Sequence, residues 1–372
     1  MKIGIDARFY NESGVGRYIR NLIVNLKMLD KENQYSIFLL PKDFKQFANT
    51  KNFQGVCADF AWYGFAEQFN FPKLLNKFKL DLMHFPHFNV PIFYSGKFVV
   101  TIHDLIHQHH AMKRATTLNP LTFKIKQIGY RKVFKIAASK SQKILVPSKS
   151  VQQLLTREWN VASDKIVITP EAVDNKILEI ANRMTKIEYE KILSKFKINN
   201  SYLFYVGNAH PHKNLESLIK AFLILQKNNP TLLLVLSGYD HYFWQRLKKE
   251  HTHKNIIYTG FISDEQLVAL YKGAQVYIMP SYEEGFGIPI LEAFACFCPV
   301  ISSKVGSLPE VGGDACLYFD PHNLDDLVEK ITNVLKDQTL RKKMIAKGKN
   351  RMKLYSWEHL AKQTLEVYHK CS

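Results

Sequence analysis

Residues 276–294 of this chain read VYIMPSYEEGFGIPILEAF. Four apolar residues, Val276–Met279, predict a short buried strand, and a glycine-rich loop follows them. Proline suits the first turn of a helix, where its missing N–H is not needed, so Pro289 predicts that a helix starts after the loop. Glu284 and Glu292 stand eight positions apart around this loop, a spacing that no helix-surface pairing explains.

The same alternation of short apolar runs and longer helical patterns extends in both directions. The runs are continuous, as expected for strands buried on both faces of a parallel sheet. The predicted strands are Lys2–Ala7, Tyr35–Leu40, Leu82–Phe85, Phe98–His103, Lys143–Pro147, Ile166–Thr169, Tyr202–Val206, Thr231–Ser237, Ile256–Tyr258, Val276–Met279, Val300–Ser302 and Leu317–Phe319. The predicted helices include Gly16–Leu29, Leu215–Lys227, Asp264–Lys272 and Leu324–Leu335. This pattern predicts an α/β protein with two Rossmann-like parallel-sheet domains.

The length of 372 residues exceeds one ordinary core and suits two domains. Residues 173–200 are polar and helix-prone without a strand signal, so we place the boundary there. The predicted domains are residues 1–175 and 176–354, followed by an amphipathic helix in residues 355–372. Ligands of such folds bind beyond the carboxyl ends of the strands, which predicts a site in a cleft between two facing domains.

The formal net charge of +18 predicts an anionic partner. No Asp or Glu occurs from Leu105 to Arg157, and basic and apolar residues interleave there. Residues 113–143 fit either a solvated helix face over a core-facing stripe or a basic element that docks on an anionic membrane. Nucleic acid is not expected, because no nucleic-acid-binding motif accompanies the charge.

The sequence predicts a cytoplasmic protein. No apolar run reaches the roughly 18–20 residues of a membrane-spanning helix, and the N-terminal MKIGIDARFY lacks the apolar core of a signal peptide. Cys296 and Cys298 match no zinc-binding spacing and suit small buried side chains. A peripheral position at the inner membrane face would follow if the basic residues dock there.

Two loops in the first half carry candidate functional residues. Gly14 and Gly16 follow the first strand and precede a helix predicted to start near Gly16, where backbone amides can approach a phosphate. A tight turn without a ligand explains them equally, since neither the dinucleotide-binding nor the P-loop spacing is present. His103 lies at the carboxyl end of a strand, where function gathers in such folds. The cluster His103, His107, His109 and His110 lacks convincing partners for a metal.

The loop after the strand Tyr202–Val206 combines Gly207 with Lys213, directly before a predicted helix. A lysine beside a helix N-terminus is electrostatically unfavourable unless an anion binds there. Lys213 therefore favours a phosphate site over a merely solvated lysine.

The loop that separates Glu284 from Glu292 suits the same ligand. The backbone amides of Gly285, Phe286 and Gly287 can line an anion-binding concavity. Carboxylates accept hydrogen bonds from vicinal hydroxyls, and here one precedes the amides and one follows them. A diphosphate with a sugar at one end and a ribose at the other fits this layout, which predicts a nucleotide-sugar site.

The segment PSYEEGFGIPILEAFACFCPVISSKVGSLPEVGGDACLYFDP resembles the donor site of the retaining glycosyltransferases of family 4, also called group 1, which have the GT-B fold. Glu284 and Glu292 match the E-x7-E motif of that family. The resemblance extends to IGIDARFYNESGVGRY, VVTIHDLI and LFYVGNAHPHKNLESLIKAF, and so along nearly the whole chain. It implies an acceptor-side domain in residues 1–175, a nucleotide-sugar domain in residues 176–354, and a last helix that crosses back to the first domain.

The resemblance also implies the role of each site residue. Glu284 would contact the transferred sugar and His103 would lie beside it, and these two are the implied catalytic residues. Lys213 would pair with the diphosphate and Glu292 with the ribose. Asn208 and His212 stand where many members carry arginine. The implied donor-binding residues are Gly14, Gly16, Gly207, Asn208, His212, Lys213, Gly285, Phe286, Gly287, Ile288 and Glu292.

The implied reaction moves a hexose from a nucleoside-diphosphate sugar to a glycan or polyprenyl-linked acceptor, with retention. It needs no cofactor, metal or side-chain nucleophile, because the acceptor attacks from the face that the diphosphate leaves. The likeness to bacterial polysaccharide mannosyltransferases favours GDP-mannose, with a UDP-sugar as alternative. Other candidates are a nucleotide-sugar epimerase, a sucrose- or trehalose-type synthase, or a degenerate member that binds anionic surfaces.

Overall fold

A computed structural model of the chain describes residues 1–106 and 120–371, without the side chains of Ser13 and residues 120–126. The described residues form two compact units. Unit 1 contains residues 1–105, 120–171 and 356–371, and unit 2 contains residue 106 and residues 172–355. The predicted histidine positions 107, 109 and 110 and the basic positions 113 and 114 lie outside the described residues.

Unit 1 is built on a parallel sheet with the strand order β3-β2-β1-β4-β5-β6-β7. The order reverses between β1 and β4, and ligand sites of such sheets lie beyond the carboxyl ends of strands at this switch point. In the register of the sheet, Ile5 of β1 lies opposite Ile37 on one side and His84 on the other. The strands are β1 (Lys2–Asp6), β2 (Gln34–Leu39), β3 (Phe53–Cys57), β4 (Leu82–Phe85), β5 (Phe98–Thr101), β6 (Ile144–Val146) and β7 (Ile166–Ile168).

Strand β3 was absent from the sequence prediction, which is wrong at this point. β3 is the edge strand of the sheet, and its sequence FQGVC contains a glycine and is only partly buried. An edge strand pairs with one neighbouring strand only and is partly exposed, so it needs no continuous apolar run. The signal by which the central strands are recognised is therefore missing here.

Helix α1 begins at Ser13, three residues earlier than the predicted start near Gly16. Gly14 and Gly16 thus lie inside its first turn. A Cβ on Gly16 would come within 2.6 Å of the carbonyl oxygen of Tyr10, so the close backbone approach requires glycine. The other helices of this part of the chain are α2 (Pro41–Phe44), α3 (Phe65–Lys77), α4 (Pro120–Lys140) and α5 (Lys149–Trp159), and α1 itself spans Ser13–Leu29.

Unit 2 repeats the architecture with the strand order β10-β9-β8-β11-β12-β13, all pairs parallel. Its switch point lies between β8 and β11. The strands are β8 (Tyr202–Val206), β9 (Leu233–Ser237), β10 (Ile256–Gly260), β11 (Val276–Met279), β12 (Val300–Ser303) and β13 (Cys316–Phe319). The helices are α6 (Asn175–Arg183), α7 (Lys186–Lys195), α8 (Leu215–Asn228), α9 (Tyr242–Glu250), α10 (Asp264–Gly273), α11 (Ile288–Ala295), α12 (Leu308–Gly312), α13 (Leu324–Lys336) and α14 (Gln338–Met352). The predicted α/β class with two Rossmann-like domains is confirmed.

The last helix, α15 (Trp357–Cys371), packs against α1 in unit 1. The hydroxyl of Tyr368 is 2.6 Å from Nδ1 of His84, and Nε2 of His84 is 2.8 Å from the hydroxyl of Thr101. Tyr18 of α1 completes the chain with a contact of 3.1 Å to the same hydroxyl. Burial, followed by the charge of His103, lowers the pKa of His84 to about 3, so its ring is neutral.

Candidate functional site

An ion pair lies at the switch point of unit 2. The ammonium of Lys213, in the loop after β8, is 2.7 Å from Oε1 of Glu284, in the loop after β11. Glu284 is only 9% exposed. The structure thus brings together two residues that the sequence analysis assigned to one ligand.

The loop after β8 places Lys213 on a single 3₁₀ turn, Pro211–Lys213. Asn214 ends this turn in the left-handed conformation, with φ of 56°, which asparagine tolerates better than most residues. Its buried side-chain amide donates to the carbonyl of Pro280 at 3.0 Å, at the end of β11. The amide of Tyr282 donates to the carbonyl of His212 at 2.7 Å. These bonds hold the two loops together.

Hydroxyl groups fix the position of Glu284. Ser281 donates to its Oε1 at 2.6 Å, and Ser307 lies 3.0 Å from its backbone carbonyl and 2.8 Å from that of Phe286. Gly306 has φ of 51° and approaches so closely that a Cβ would lie 2.9 Å from the carbonyl oxygen of Glu284. These contacts hold Glu284 and its carboxylate in a defined position.

The glycine-rich loop ends at the N-terminus of α11. Gly287 is the N-cap, with φ of 111°, and no side chain caps the helix. A Cβ on Gly287 would also come within 2.8 Å of Leu308, so both conformation and space require glycine. Pro289 lies in the first turn, as predicted. Phe286 is buried and packs edge-on against Tyr355, which anchors the loop. An uncapped helix start suits an anion.

Glu292 lies on α11 and is 3% exposed. The hydroxyl of Tyr271, on α10, lies 3.2 Å from its Oε2 and 3.2 Å from the carbonyl oxygen of Pro289. Burial first, and then the charge of Glu292, raise the pKa of Tyr271 well above its ordinary value, so Tyr271 stays a donor. Hydrogen bonds such as this one stabilise a buried carboxylate.

Gly207 and Asn208 form the first part of the loop after β8. Gly207 has φ of 152°, and a Cβ there would lie 2.7 Å from the hydroxyl of Tyr205, which donates to the carbonyl of Asn208 at 2.8 Å. The side-chain oxygen of Asn208 accepts from the amide of His210 at 3.3 Å. The rings of His210 and His212 stack with centroids 5.8 Å apart.

His103 follows β5 in unit 1, so it and Glu284 belong to different units. Its Nδ1 is 2.8 Å from Oε1 of Glu171 and its Nε2 is 2.9 Å from the carbonyl oxygen of Pro86. Burial lowers the pKa of His103, but the hydrogen bond and charge of Glu171 outweigh this and raise it overall. Both neighbours are acceptors, so the geometry fits an imidazolium that donates from both nitrogens.

A buried arginine organises the switch point of unit 1. Arg8, fully buried after β1, contacts Asp6 at 2.7 Å and Glu67 at 2.8 Å. Its guanidinium also donates to the carbonyl of Phe60 at 3.1 Å, and Asn89 donates to Glu67 at 2.8 Å. The network ties the loops after β1 and β4 to the start of α3. Gly14, exposed on α1 beyond this network, has no heavy atom within 4 Å of the position of a Cβ.

The sequence analysis missed several residues that shape the site. Asn214 had a usable signal, because asparagine adopts the left-handed conformation more readily than most residues. Tyr271 and Glu171 carried none, since their partners are distant in sequence. The residues missed are Glu171, Asn214, Tyr271, Ser281 and Ser307.

Among the described residues, no group of three or more His, Cys, Asp or Glu side chains is arranged to hold a metal ion. Likewise, no helix within residues 1–106 and 120–371 has the length and apolar character to cross a membrane.

Comparison with known proteins gives two family matches. Residues 13–176 match the model of Glycosyltransferase Family 4, and residues 188–351 match that of Glycosyl transferases group 1. Among solved structures, Anabaena Alr3699/HepE in complex with UDP-glucose superimposes with a TM-score of 0.77 at 15% identity, covering 100% of both chains. That likeness shows the fold.

Curated relatives include two proteins of Escherichia coli. The O-antigen chain mannosyltransferase B is 35% identical over 231 residues, 60% of this chain and 60% of the relative. The serotype-specific mannosyltransferase WbdA is 27% identical over 297 residues, 76% of this chain and 34% of the relative. The chain therefore spans less than two thirds of the length of either. Two family models matched in order, on two Rossmann-like units, show that this chain belongs to the family 4 (group 1) glycosyltransferases of GT-B fold.

Proposed function

We propose that the chain transfers a hexose, with mannose as the best candidate, from a nucleoside-diphosphate sugar to a glycan or lipid-linked acceptor. The ion pair between Lys213 and Glu284 carries this proposal. A cation and a carboxylate lie within one hydrogen bond of each other, and Gly287, at the uncapped start of α11, follows Glu284 by three residues. This arrangement supports binding of a diphosphate by the cation and of sugar hydroxyls by the carboxylate.

Each side chain has a chemical task in the proposed reaction. Lys213 neutralises the departing diphosphate, which is the charge that grows most in the transition state. Glu284 accepts hydrogen bonds from the transferred sugar and stabilises the positive anomeric carbon. Glu292, held by Tyr271, accepts hydrogen bonds from the ribose hydroxyls. The backbone amides of Phe286 and its neighbours Gly287 and Ile288 are the proposed donors to phosphate or sugar oxygens.

We propose that the reaction retains the anomeric configuration. The bond from the anomeric carbon to the diphosphate breaks, and the acceptor hydroxyl bonds to that carbon on the same face. The hydroxyl proton passes to the leaving diphosphate. This scheme needs neither a metal nor a protein nucleophile, and Glu284 and Glu292 do not act as the carboxylate pair of a retaining glycosidase.

His103 has a narrower role than that of a free base. Both ring nitrogens contact acceptors of the protein itself, Glu171 and Pro86. We propose that it acts as a fixed cation in unit 1, and that Glu171 keeps it protonated and oriented. Gly14 and Gly16 complete the proposed donor contacts from this unit through the backbone of α1.

GDP-mannose is the proposed donor. The two E. coli relatives are named as mannosyltransferases, which supports mannose. The structural neighbour in complex with UDP-glucose is 15% identical, a likeness that shows the fold alone. A UDP-sugar is therefore only the alternative donor. No feature of the described residues favours an epimerase or a synthase over a glycosyltransferase.

The acceptor side includes a proposed membrane contact. Residues 113–143 are the basic element in question, and the described part of α4 exposes Arg131, Lys132 and Lys135. If they dock a cytoplasmic, peripheral protein on anionic lipid, their neutralisation reduces vesicle binding and leaves donor hydrolysis in solution unchanged. Equal vesicle binding by the neutralised variant would assign the stretch to an ordinary solvated face.

Calorimetric titration with GDP, UDP and ADP tests the donor site first, on the wild type and on Glu292→Ala. Binding of one nucleotide by the wild type, and its loss in the variant, is the expected result. Mannose transfer from GDP-mannose to a mannan acceptor then tests the activity. A wild type that binds no nucleotide and hydrolyses no donor would identify a degenerate member that only binds surfaces.

A further inference from the structure

Unit 1 carries exposed aromatic side chains that the proposed transfer reaction does not use. Phe65 is 87% exposed, Phe69 50% and Phe93 55%. The rings of Phe69 and Phe93 stack with their centroids 4.7 Å apart. Phe65 and Phe69 lie four residues apart on α3 and hence on one face. We call these three residues the aromatic ridge, since exposed aromatic clusters of this kind mark interaction surfaces.

The same face of α3 continues as lysine. Lys73 and Lys77 follow Phe69 in steps of four residues, and both are exposed. The one acidic residue of α3, Glu67, is buried and paired with Arg8, so it adds no negative charge to this face. The face is therefore aromatic near the start of the helix and cationic near its end.

The loop of residues 86–94 joins the aromatic ridge to α4. The amide of Ile92 donates to Oε1 of Gln68 on α3 at 2.8 Å. The ring of Phe88 packs on Tyr130 of α4 with centroids 4.6 Å apart. The described side chains that α4 exposes include Ile128, Arg131, Lys132 and Lys135.

Charge along this part of the chain is almost entirely positive. From Gln68 to Arg157 there are fifteen Lys or Arg residues and two acids, Asp81 and Asp104. A surface built from these elements attracts anions over distances of about 8 Å in physiological salt. The partner of the aromatic ridge should accordingly be anionic.

We propose that the aromatic ridge, with Lys73 and Lys77, docks on an anionic lipid bilayer. Rings that stand out from a protein insert at the level of the headgroups, and flanking lysines contact lipid phosphates. A sugar or other small ligand needs a concave site, whereas Phe65 protrudes. A second copy of this chain would bring a second set of lysines against the first, which repel one another.

This docking rests on the proposed function for its purpose alone, because it would hold the enzyme where a lipid-linked acceptor lies. Lipid binding itself needs no donor, acceptor or transfer. A vesicle-binding experiment can therefore disprove the docking without disproving the transfer reaction, and the reverse also holds.

Cosedimentation with vesicles tests the proposal. The vesicles contain phosphatidylcholine alone or with phosphatidylglycerol, and no donor is present. The test variants are Phe65→Ser with Phe69→Ser, and Lys73→Gln with Lys77→Gln. The matched controls are Ile187→Ser, at an equally exposed apolar residue of α7, and Lys342→Gln with Lys343→Gln on α14. All these side chains are exposed, so the fold should persist, and circular dichroism together with nucleotide binding verifies this.

The wild type is expected to bind the phosphatidylglycerol vesicles and not phosphatidylcholine alone. The lysine variant should bind about tenfold or more weakly, because each lysine near an anionic surface contributes a severalfold gain. The aromatic variant should lose about tenfold, and the controls should match the wild type. Wild-type affinity in both test variants would overturn the proposal. Two other results would also overturn it. In each, the aromatic variant keeps its vesicle binding but loses another property of the wild type, either concentration-dependent dimerisation or binding to mannan.

Discussion

Lys213 and Glu284 balance each other's charge in the chain without ligand. A half-buried ammonium and a buried carboxylate 2.7 Å apart form a neutral pair, and Ser281 donates to the same carboxylate oxygen. A diphosphate that reaches Lys213 must share this cation with Glu284 or displace the carboxylate. Removal of the Glu284 charge and removal of the Lys213 charge should therefore change ligand affinity in opposite directions.

Glu284→Gln should separate binding from transfer. It frees Lys213 from its anion, so nucleoside-diphosphate affinity should stay equal or rise, by up to about tenfold. Transfer should fall by about a hundredfold or more, because the carboxylate no longer stabilises the anomeric carbon. Lys213→Met should weaken binding by about tenfold, whereas Lys220→Gln, on the exposed face of α8, should have no effect.

Calorimetry and a transfer assay on these variants decide the matter. Equal losses of nucleotide affinity in Glu284→Gln and Lys213→Met would mean that the pair organises the loop and does not compete with the ligand. Near-normal transfer by Glu284→Gln would remove this residue from the reacting centre.

Tyr271→Phe should disturb Glu292 without removing its charge. The variant loses the hydroxyl 3.2 Å from Oε2, and nucleotide affinity should fall about fivefold, the effect of one hydrogen bond. The loss should shrink with a 2′,3′-dideoxy nucleotide, because that ligand lacks the hydroxyls that Glu292 is proposed to bind. Tyr277→Phe is the matched control, since Tyr277 is equally buried and its hydroxyl has no hydrogen-bond partner. An equal drop for both nucleotides would argue against ribose binding by Glu292.

Two helix N-termini carry the glycines singled out in the sequence, and the reason for each glycine differs. Gly287 caps α11 with a positive φ, whereas Gly14 and Gly16 lie within the first turn of α1. Gly16 approaches the backbone of Tyr10, and Gly14 faces open space. In α1, packing therefore requires glycine at position 16, whereas the space at Gly14 is open to a ligand.

Alanine at these two positions should have opposite effects on stability. Gly14→Ala should stabilise the chain by about 0.5–1 kcal/mol, because alanine restricts the unfolded chain and suits a helix. Gly16→Ala should destabilise it by more than about 1 kcal/mol, since its Cβ would lie 2.6 Å from a carbonyl oxygen. Chemical denaturation followed by circular dichroism measures both. If Gly14→Ala also weakens nucleotide binding, the open space at Gly14 belongs to the donor site.

At the scale of the whole molecule, the C-terminal helix α15 belongs to unit 1, although unit 2 precedes it in the chain. Residues 284 positions apart meet where Tyr368 of α15 contacts His84 of β4. His84 is fully buried, with one ring nitrogen against Tyr368 and the other against Thr101. The attachment of α15 thus depends on a neutral imidazole at the centre of the sheet.

Acid should loosen this attachment. The pKa of His84 is lowered to about 3 in the folded chain, against an ordinary value of 6.5, so the unfolded chain binds more protons between these values. Stability from the neutral ring is therefore complete above about pH 6.5 and is lost as the pH falls towards 3. The unfolding free energy of the wild type should fall over this range more steeply than that of His84→Asn, as measured by urea denaturation at a series of pH values. Parallel curves would contradict the buried, neutral state of His84.

Much of the fold could be predicted because its strands and helices follow from patterns of neighbouring residues. Apolar runs between helical patterns identified twelve of the thirteen strands in the described residues, and Pro289 marked the start of α11. The missed strand, β3, lies at a sheet edge, where burial on one side leaves a weak pattern. The E-x7-E spacing, together with the stretches that resemble the family along nearly the whole chain, identified the family.

The sequence by itself therefore determined the α/β class, the family and the residue types that we propose bind a nucleotide sugar. Tertiary structure alone decided that Lys213 pairs with Glu284, 71 residues away, that Tyr271 holds Glu292, and that Glu171 holds His103. Periodicity and motif spacing reflect interactions between near neighbours in the chain. Hydrogen bonds between distant residues arise only when packing brings particular strand ends and helix faces within hydrogen-bonding distance, and no local pattern encodes that approach.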